Sequence, residues 1–234
     1  MQDSPFKVKL QEQFTLREVF LMKNKKHFYA GLFFLSAFAV WTMAVKTCDL
    51  QAIGPKDSIV GFAALNGFFH RFTGVHLWLY VLTDLLSIIP LGIAAGFGLM
   101  GLCQLVGRKS LFKVDRDITA LGAFYLCIIS AYLFFEKFAV NYRPVLIDGV
   151  LEASYPSSTT VLVLCVMLTA AVQADIRIQK PLLRTAVKKS VAVFSVFMVV
   201  ARLVCGVHWL TDIAGGVLLS FGLVSFYLYG IKRE

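Results

Sequence analysis

Six apolar runs follow one another along this chain, at about 28–45, 87–106, 118–135, 158–174, 190–207 and 211–230. Each is near the roughly 20 residues a helix needs to cross a hydrocarbon core. Backbone inside a bilayer must satisfy its own hydrogen bonds, which leaves helices or a closed barrel. The short alternating strands of a barrel are absent from the sequence. The spacing therefore predicts an all-α integral membrane bundle of six transmembrane helices. Composition agrees: 58% of the 234 residues are hydrophobic and 16% are charged, against about 25% charged in soluble domains. A disordered chain is excluded, and the composition departs from that of a soluble globule. Residues 1–27 read as a cytoplasmic segment and 28–234 as a single transmembrane domain. The first run follows Lys23, Lys25 and Lys26 and reads as an uncleaved signal anchor.

Residues 46–86 are too polar to span and too apolar to be a free loop. Val60, Phe62, Phe68, Phe69, Leu77 and Trp78 alternate there with Asn66, His70, Arg71, His76 and Asp84. Interfacial amphipathic helices between the first two spans are expected, broken at Gly54, Pro55, Gly67, Gly74 and Pro90. Gly92 and Gly96 match a small-xxx-small helix contact.

The net charge of +9 has a direction. With the N-terminus in the cytoplasm, 17 of the 23 Lys and Arg fall on the cytoplasmic side and 6 on the other. That asymmetry orients both termini inward, as in a bacterial plasma membrane. Topology then accounts for the basic excess, and no nucleic-acid partner is called for. The five cysteines form no CxxC, and no cluster has metal-ligand spacing. Neither a metal nor another cofactor is expected.

Three short segments fall on the external side. They are Lys137 to Pro144 after the third span, Tyr155 to Thr160 opening the fourth, and Arg202 to Asp212 between the fifth and sixth. Arg143 and Arg202 can each present a planar fork to a phosphate. Pro156-Ser157-Ser158 starts a helix, whose free N–H groups and dipole suit an anion. His208 and Asp212 are four apart, and a carboxylate there can fix the imidazole tautomer and leave the second nitrogen free to attack. Each residue alone has an ordinary reading: an interfacial arginine, a helix cap, a hydrogen-bonded histidine. Their convergence on one side describes a phosphoryl-transfer site.

The layout resembles the type-2 phosphatidic acid phosphatase family, relatives of the vanadium haloperoxidases. The family's motifs are K-x6-R-P, P-S-G-H and S-R-x5-H-x3-D, and the resemblance covers the last five spans. It implies a phosphohistidine mechanism with His208 as nucleophile and Asp212 orienting it. Lys137, Arg143, Ser157, Ser158 and Arg202 would hold the phosphate. Three positions depart from the pattern. Lys137 comes one residue late, with Glu136 in the expected place, and on a helix that shift turns the side chain by roughly 100°. Ala201 stands for the motif serine. Thr159 stands for the histidine that, in the family, protonates the leaving group.

General acid catalysis contributes roughly 10²–10⁴ in rate, and it matters least when the leaving group is itself a phosphate of pKa about 6. The threonine therefore favours a polyprenyl diphosphate over a phosphomonoester, unless His70 or His76 enters the site as acid. Asp84 reads first as a solvated polar position on an interfacial helix, and its functional reading would be a place beside Lys137 or His76. The expected function is a lipid phosphatase acting on a membrane lipid phosphate or diphosphate from the external face. The alternatives are an inactive relative that binds or moves anionic lipids and a lipid phosphotransferase.

Overall fold

In the computed structural model of the chain, the backbone is described for residues 5–231 and the side chains for 25–231. Lys7, Lys9, Arg17, Lys23, Lys232 and Arg233, which enter the charge count above, lie outside the described side chains. The described residues form eight α-helices and no strand. They are α1 (Pro5–Thr47), α2 (Ala63–Thr73), α3 (Leu77–Leu86), α4 (Ile88–Arg108), α5 (Arg116–Lys137), α6 (Ser158–Arg177), α7 (Pro181–Val204) and α8 (Leu210–Ile231).

Two helices make the centre. α6 and α8 bury the largest share of their residues, and α1, α4, α5 and α7 surround them. Leu121, Phe124 and Ile128 of α5, Val161 and Cys165 of α6, and Leu219, Val224 and Tyr227 of α8 form the main core. The outer helices turn apolar side chains outward: Val40, Leu99, Leu133 and Val193 are all more than half exposed. In water such a surface would aggregate, whereas in lipid it carries no hydrophobic penalty.

Five stretches are long and apolar enough to cross a membrane: Lys25–Thr47, Leu77–Arg108, Arg116–Lys137, Ser158–Arg177 and Leu210–Ile231. The fifth expected run, 190–207, lies in α7, which is long enough but carries Arg184, Lys188, Lys189 and Arg202. Its spanning character thus rests on length and packing against α6 more than on apolarity.

The interfacial segment needs correction in its second half. α2 is a separate amphipathic helix, but α3 does not lie apart from the next span. It passes into α4 through Ser87, which keeps helical dihedrals (φ −67°, ψ −12°). Eight of the ten α3 residues are apolar, so lipid accepts it as readily as α4, and Asp84 sits on its polar side beside Arg202. Pro90 follows the turn at Ser87 that separates α3 from α4 and stands in the first turn of α4, where a missing N–H is tolerated. Gly92 and Gly96 also need correction: a Cβ built on either meets no atom within 4 Å, so neither packs against another helix among the described residues.

The connections sort to two ends. At one end lie 109–115 and 178–180, tied by Arg108 to Asp115, Arg177 to Asp117, and Lys188 to Asp175. At the other lie 48–76, 138–157 and 205–209, which together carry the three chemical segments.

Candidate active site

The connection from α5 to α6 folds back on itself. Asp148 and Gly149 both have positive φ (49° and 78°), the requirement of a tight hairpin turn. Ile147 and Val150 exchange both backbone hydrogen bonds across it. Arg143 N–H donates to Glu152 O at 3.0 Å and Ser154 N–H to Asn141 O at 2.9 Å. This pairing holds Asn141 and Arg143 under the loop, both buried.

Gly206 shapes the α7–α8 connection. Its φ is +73°, a conformation that glycine adopts without strain. A Cβ there would stand 2.1 Å from Gly74 O, so the two backbones meet where no side chain fits. His76 N–H donates to Cys205 O at 2.9 Å, and His70 Nε2 donates to Gly206 O at 3.1 Å. The turn so fixed delivers His208 two residues later.

His208 is buried, with its Nε2 3.4 Å from Arg143 Nη1 and its Nδ1 3.8 Å from Asp212 Oδ2. Arg143 can only donate, so Nε2 accepts and the proton sits on Nδ1, the side of the carboxylate. At 3.8 Å that pair is an electrostatic contact and not a hydrogen bond, and Nδ1 has no hydrogen-bond partner. Burial, the largest cause, and the neighbouring Arg143 push the imidazole pKa down to about 4, against the pull of Asp212. The ring is therefore neutral near pH 7, the form a nitrogen nucleophile needs.

Asp212 is fully buried and fixed from two sides. Trp209 N–H donates to Oδ2 at 2.9 Å and Asn141 Nδ2 to Oδ1 at 3.2 Å. Ser157 N–H donates to its backbone carbonyl at 3.1 Å, joining the start of α6 to the start of α8. Ser157 caps α6, its Oγ accepting from Thr160 Oγ1 at 3.0 Å and Thr160 N–H at 3.4 Å.

The two guanidiniums flank one ring. Arg202 lies 4.7 Å and Arg143 5.8 Å from the centre of Tyr80. Arg202 Nη1 donates to Thr83 Oγ1 at 2.9 Å and to Tyr80 O at 3.3 Å, and Arg143 pairs with Glu152 at 2.9 Å. Arg202 is only 2% exposed, and its Nε has no hydrogen-bond partner. A buried cationic donor without a partner is costly in isolation, and an oxyanion is the ligand that would satisfy it.

Beside His208 opens a cavity of about 370 Å³, within the range of small-ligand sites. Its floor is apolar, with Leu91, Ile128, Tyr132, Phe135, Leu162 and Leu219, and its polar rim holds Glu136, Ser154, Ser158, Thr159 and His208. The structure thus brings His208, Asp212, Arg143, Ser157, Ser158 and Thr159 to one end of the bundle, with Arg202 across Tyr80.

Four expected positions do not join this group as expected. Lys137 is the last residue of a continuous helix, so its phase is set. Its Nζ lies 5.7 Å from the ring centre of Phe138, and Glu136 lines the cavity in its place. His70 supports the Gly206 turn, and its pKa is lowered mainly by burial. His76 Nε2 donates to Thr73 O at 2.9 Å, and neither histidine lines the cavity. Asp84 is 3.9 Å from Arg202, not beside Lys137 or His76. Conversely, Asn141, Tyr80, Thr83 and Glu152 were not singled out from sequence. The only local signal was the place of Asn141 inside the Lys137–Pro144 segment. Among the described residues no group of three or more His, Cys, Asp or Glu is placed to hold a metal ion.

A family model described as the PAP2 superfamily matches residues 118–234. Among solved structures, the fold is similar to a transmembrane PAP2-type phosphatidylglycerolphosphate phosphatase from Bacillus subtilis. The TM-score is 0.57 at 17% sequence identity, covering 86% of this chain and 94% of that one. Comparison with curated protein sequences gives no significant match.

Proposed function

Since the chain belongs to the PAP2 superfamily, and its fold is that of a membrane phosphatase, we propose that it hydrolyses a lipid phosphate or polyprenyl diphosphate through a phosphohistidine at His208. The observation that carries this reading is the neutral, buried imidazole between Arg143 and Asp212, opening onto an apolar cavity. A lipid tail fits the floor, and its phosphate meets the rim.

Nε2 of His208 attacks phosphorus as the bond to the lipid oxygen breaks, and water then releases phosphate from the ring. Asp212 stabilises the charge the ring gains. Arg143 leaves its contact with Nε2 to take phosphoryl oxygens, and Arg202 Nε and the first N–H groups of α6 add donors. Ser157, a cap already committed to Thr160, orients these N–H groups. The excess of Lys and Arg at the opposite end of the bundle supports an external site and cytoplasmic termini.

The test is phosphate release by the purified protein in detergent from phosphatidic acid and from a polyprenyl diphosphate. Release by the native protein and at least about a 10³-fold loss in His208→Ala are expected, with an acid-labile phosphate label on the native protein only. Unchanged release by His208→Ala would reject the mechanism.

A further inference from the structure

Thr159 forms part of the cavity rim but cannot protonate a leaving group near neutral pH. The two histidines expected to substitute for it donate to backbone carbonyls elsewhere. Among the described residues that line the cavity, Glu136 is the one carboxylic acid.

Its position follows from helix phase. Ile128, Tyr132, Phe135 and Glu136 are spaced i, i+4, i+7 and i+8 on α5, so they share one face, and all four line the cavity. Glu136 is the carboxylate at the top of an otherwise apolar stripe. Glu136 and His208 line the same cavity, so a lipid tail lying along that stripe would point its ester oxygen toward Glu136 and its phosphorus toward His208. Ser154, which also lines the cavity, is 3% exposed, and its Oγ has no hydrogen-bond partner. A buried unpartnered hydroxyl on the same rim is an independent sign that a polar ligand group belongs there.

We propose that Glu136 is the general acid of this site, donating its proton to the lipid oxygen as the phosphorus–oxygen bond breaks. This rests on the phosphohistidine reading and deepens it. In the first step, Nε2 bonds to phosphorus, the lipid oxygen leaves with the Glu136 proton, and Glu136 becomes a carboxylate. In the second, the carboxylate takes a proton from the attacking water, the nitrogen–phosphorus bond breaks, and hydrogen phosphate departs. The ring is neutral again and Glu136 is reprotonated, so the cycle balances as lipid phosphate plus water giving lipid alcohol plus phosphate.

With this donor present, the absence of the motif histidine no longer restricts the enzyme to diphosphates. Phosphomonoesters with alkoxide leaving groups become substrates.

The experiment compares Glu136→Gln with native protein on two substrates in the same detergent. One is phosphatidic acid, whose leaving group is an alkoxide. The other is an aryl phosphate with an acidic phenol, which needs no proton. The amide is isosteric, and the aryl substrate doubles as a measure of intact protein. General acid catalysis is worth roughly 10²–10⁴, so kcat on phosphatidic acid should fall at least about 100-fold, and on the aryl phosphate less than about 5-fold. Equal losses on both substrates, or no loss on phosphatidic acid, would overturn the assignment. His208→Ala run alongside separates the two ideas: it should lose both substrates, and if it retains them the phosphohistidine reading itself fails, whatever Glu136 does.

Discussion

Replacing Gly206 by alanine should damage catalysis far more than the size of a methyl group suggests. The new Cβ would lie 2.1 Å from Gly74 O, whereas real Cβ atoms keep at least 3.0 Å from such a neighbour. The turn and the Gly74 backbone must therefore separate by at least about 0.9 Å. That separation stretches two hydrogen bonds joining the same pieces, His76 N–H to Cys205 O (2.9 Å) and His70 Nε2 to Gly206 O (3.1 Å). Each is worth about 0.5–1.5 kcal/mol, and the left-handed conformation costs alanine about 1–2 kcal/mol more. Together the loss is about 2–5 kcal/mol. The catalytic effect comes from His208, two residues away: a misplacement of about 1 Å can cost about 10²-fold in rate. Thermal unfolding in detergent and kcat for phosphate release should both report it. Gly98→Ala, inside α4 where a Cβ meets no atom within 4 Å, should leave kcat unchanged and should not lower the unfolding temperature. A Gly206→Ala protein with native kcat and native unfolding temperature would refute the account of how His208 is positioned.

Two further outcomes follow from the same site. Asn141→Ala removes the donor to Asp212 Oδ1 and the acceptor of Gly61 N–H (3.4 Å); with about 1–3 kcal/mol for each orphaned buried group, the unfolding temperature should drop by several degrees, and an unchanged value would place Asn141 outside the network. The acid limb of kcat/KM for the free enzyme should lie near pH 4, because burial holds His208 neutral as pH falls until about that value. At pH 5 an ordinary imidazole is about 3% neutral, and this one is about 90% neutral; a limb near pH 6.5 would contradict the buried geometry. Between about 6.5 and 4 the unfolded chain binds the extra proton and the folded one does not, so His208 makes stability decline as pH falls through that window.

What could be read from the sequence was what is local in the chain. Arg202, His208 and Asp212 lie within eleven residues, spanning the end of α7, one turn and the start of α8, so their spacing alone carries the geometry. The helical phase at Glu136 and Lys137 was legible in the same way. Asn141 meets Asp212 across 71 positions and Thr83 meets Arg202 across 119; pairings at that separation depend on how helices pack, which no short pattern encodes. The α3 segment was read as interfacial because His76 and Asp84 made it look polar and Pro90 looked like a break, whereas a proline in the first turn of α4 and a carboxylate beside an arginine are both compatible with a helix. Gly92 and Gly96 fitted a packing pattern that lipid-facing glycines fit equally well. The run 190–207 was legible as apolar, but the basic first half of α7 escaped it.

Leu77–Arg108 spans 32 residues, which at 1.5 Å per residue is about 48 Å, well beyond a hydrocarbon layer of about 30 Å. Its two helices meet at Ser87, so a segment of that excess length can meet the thickness of the surrounding lipid by tilting or by bending there. Its upper part carries Tyr80 and Thr83, on which the Arg202 fork rests. The same segment starts next to His76, whose N–H holds Cys205 O in the turn before His208, so a change in bilayer thickness would bear on the seat of Arg202 and on the proposed nucleophile together.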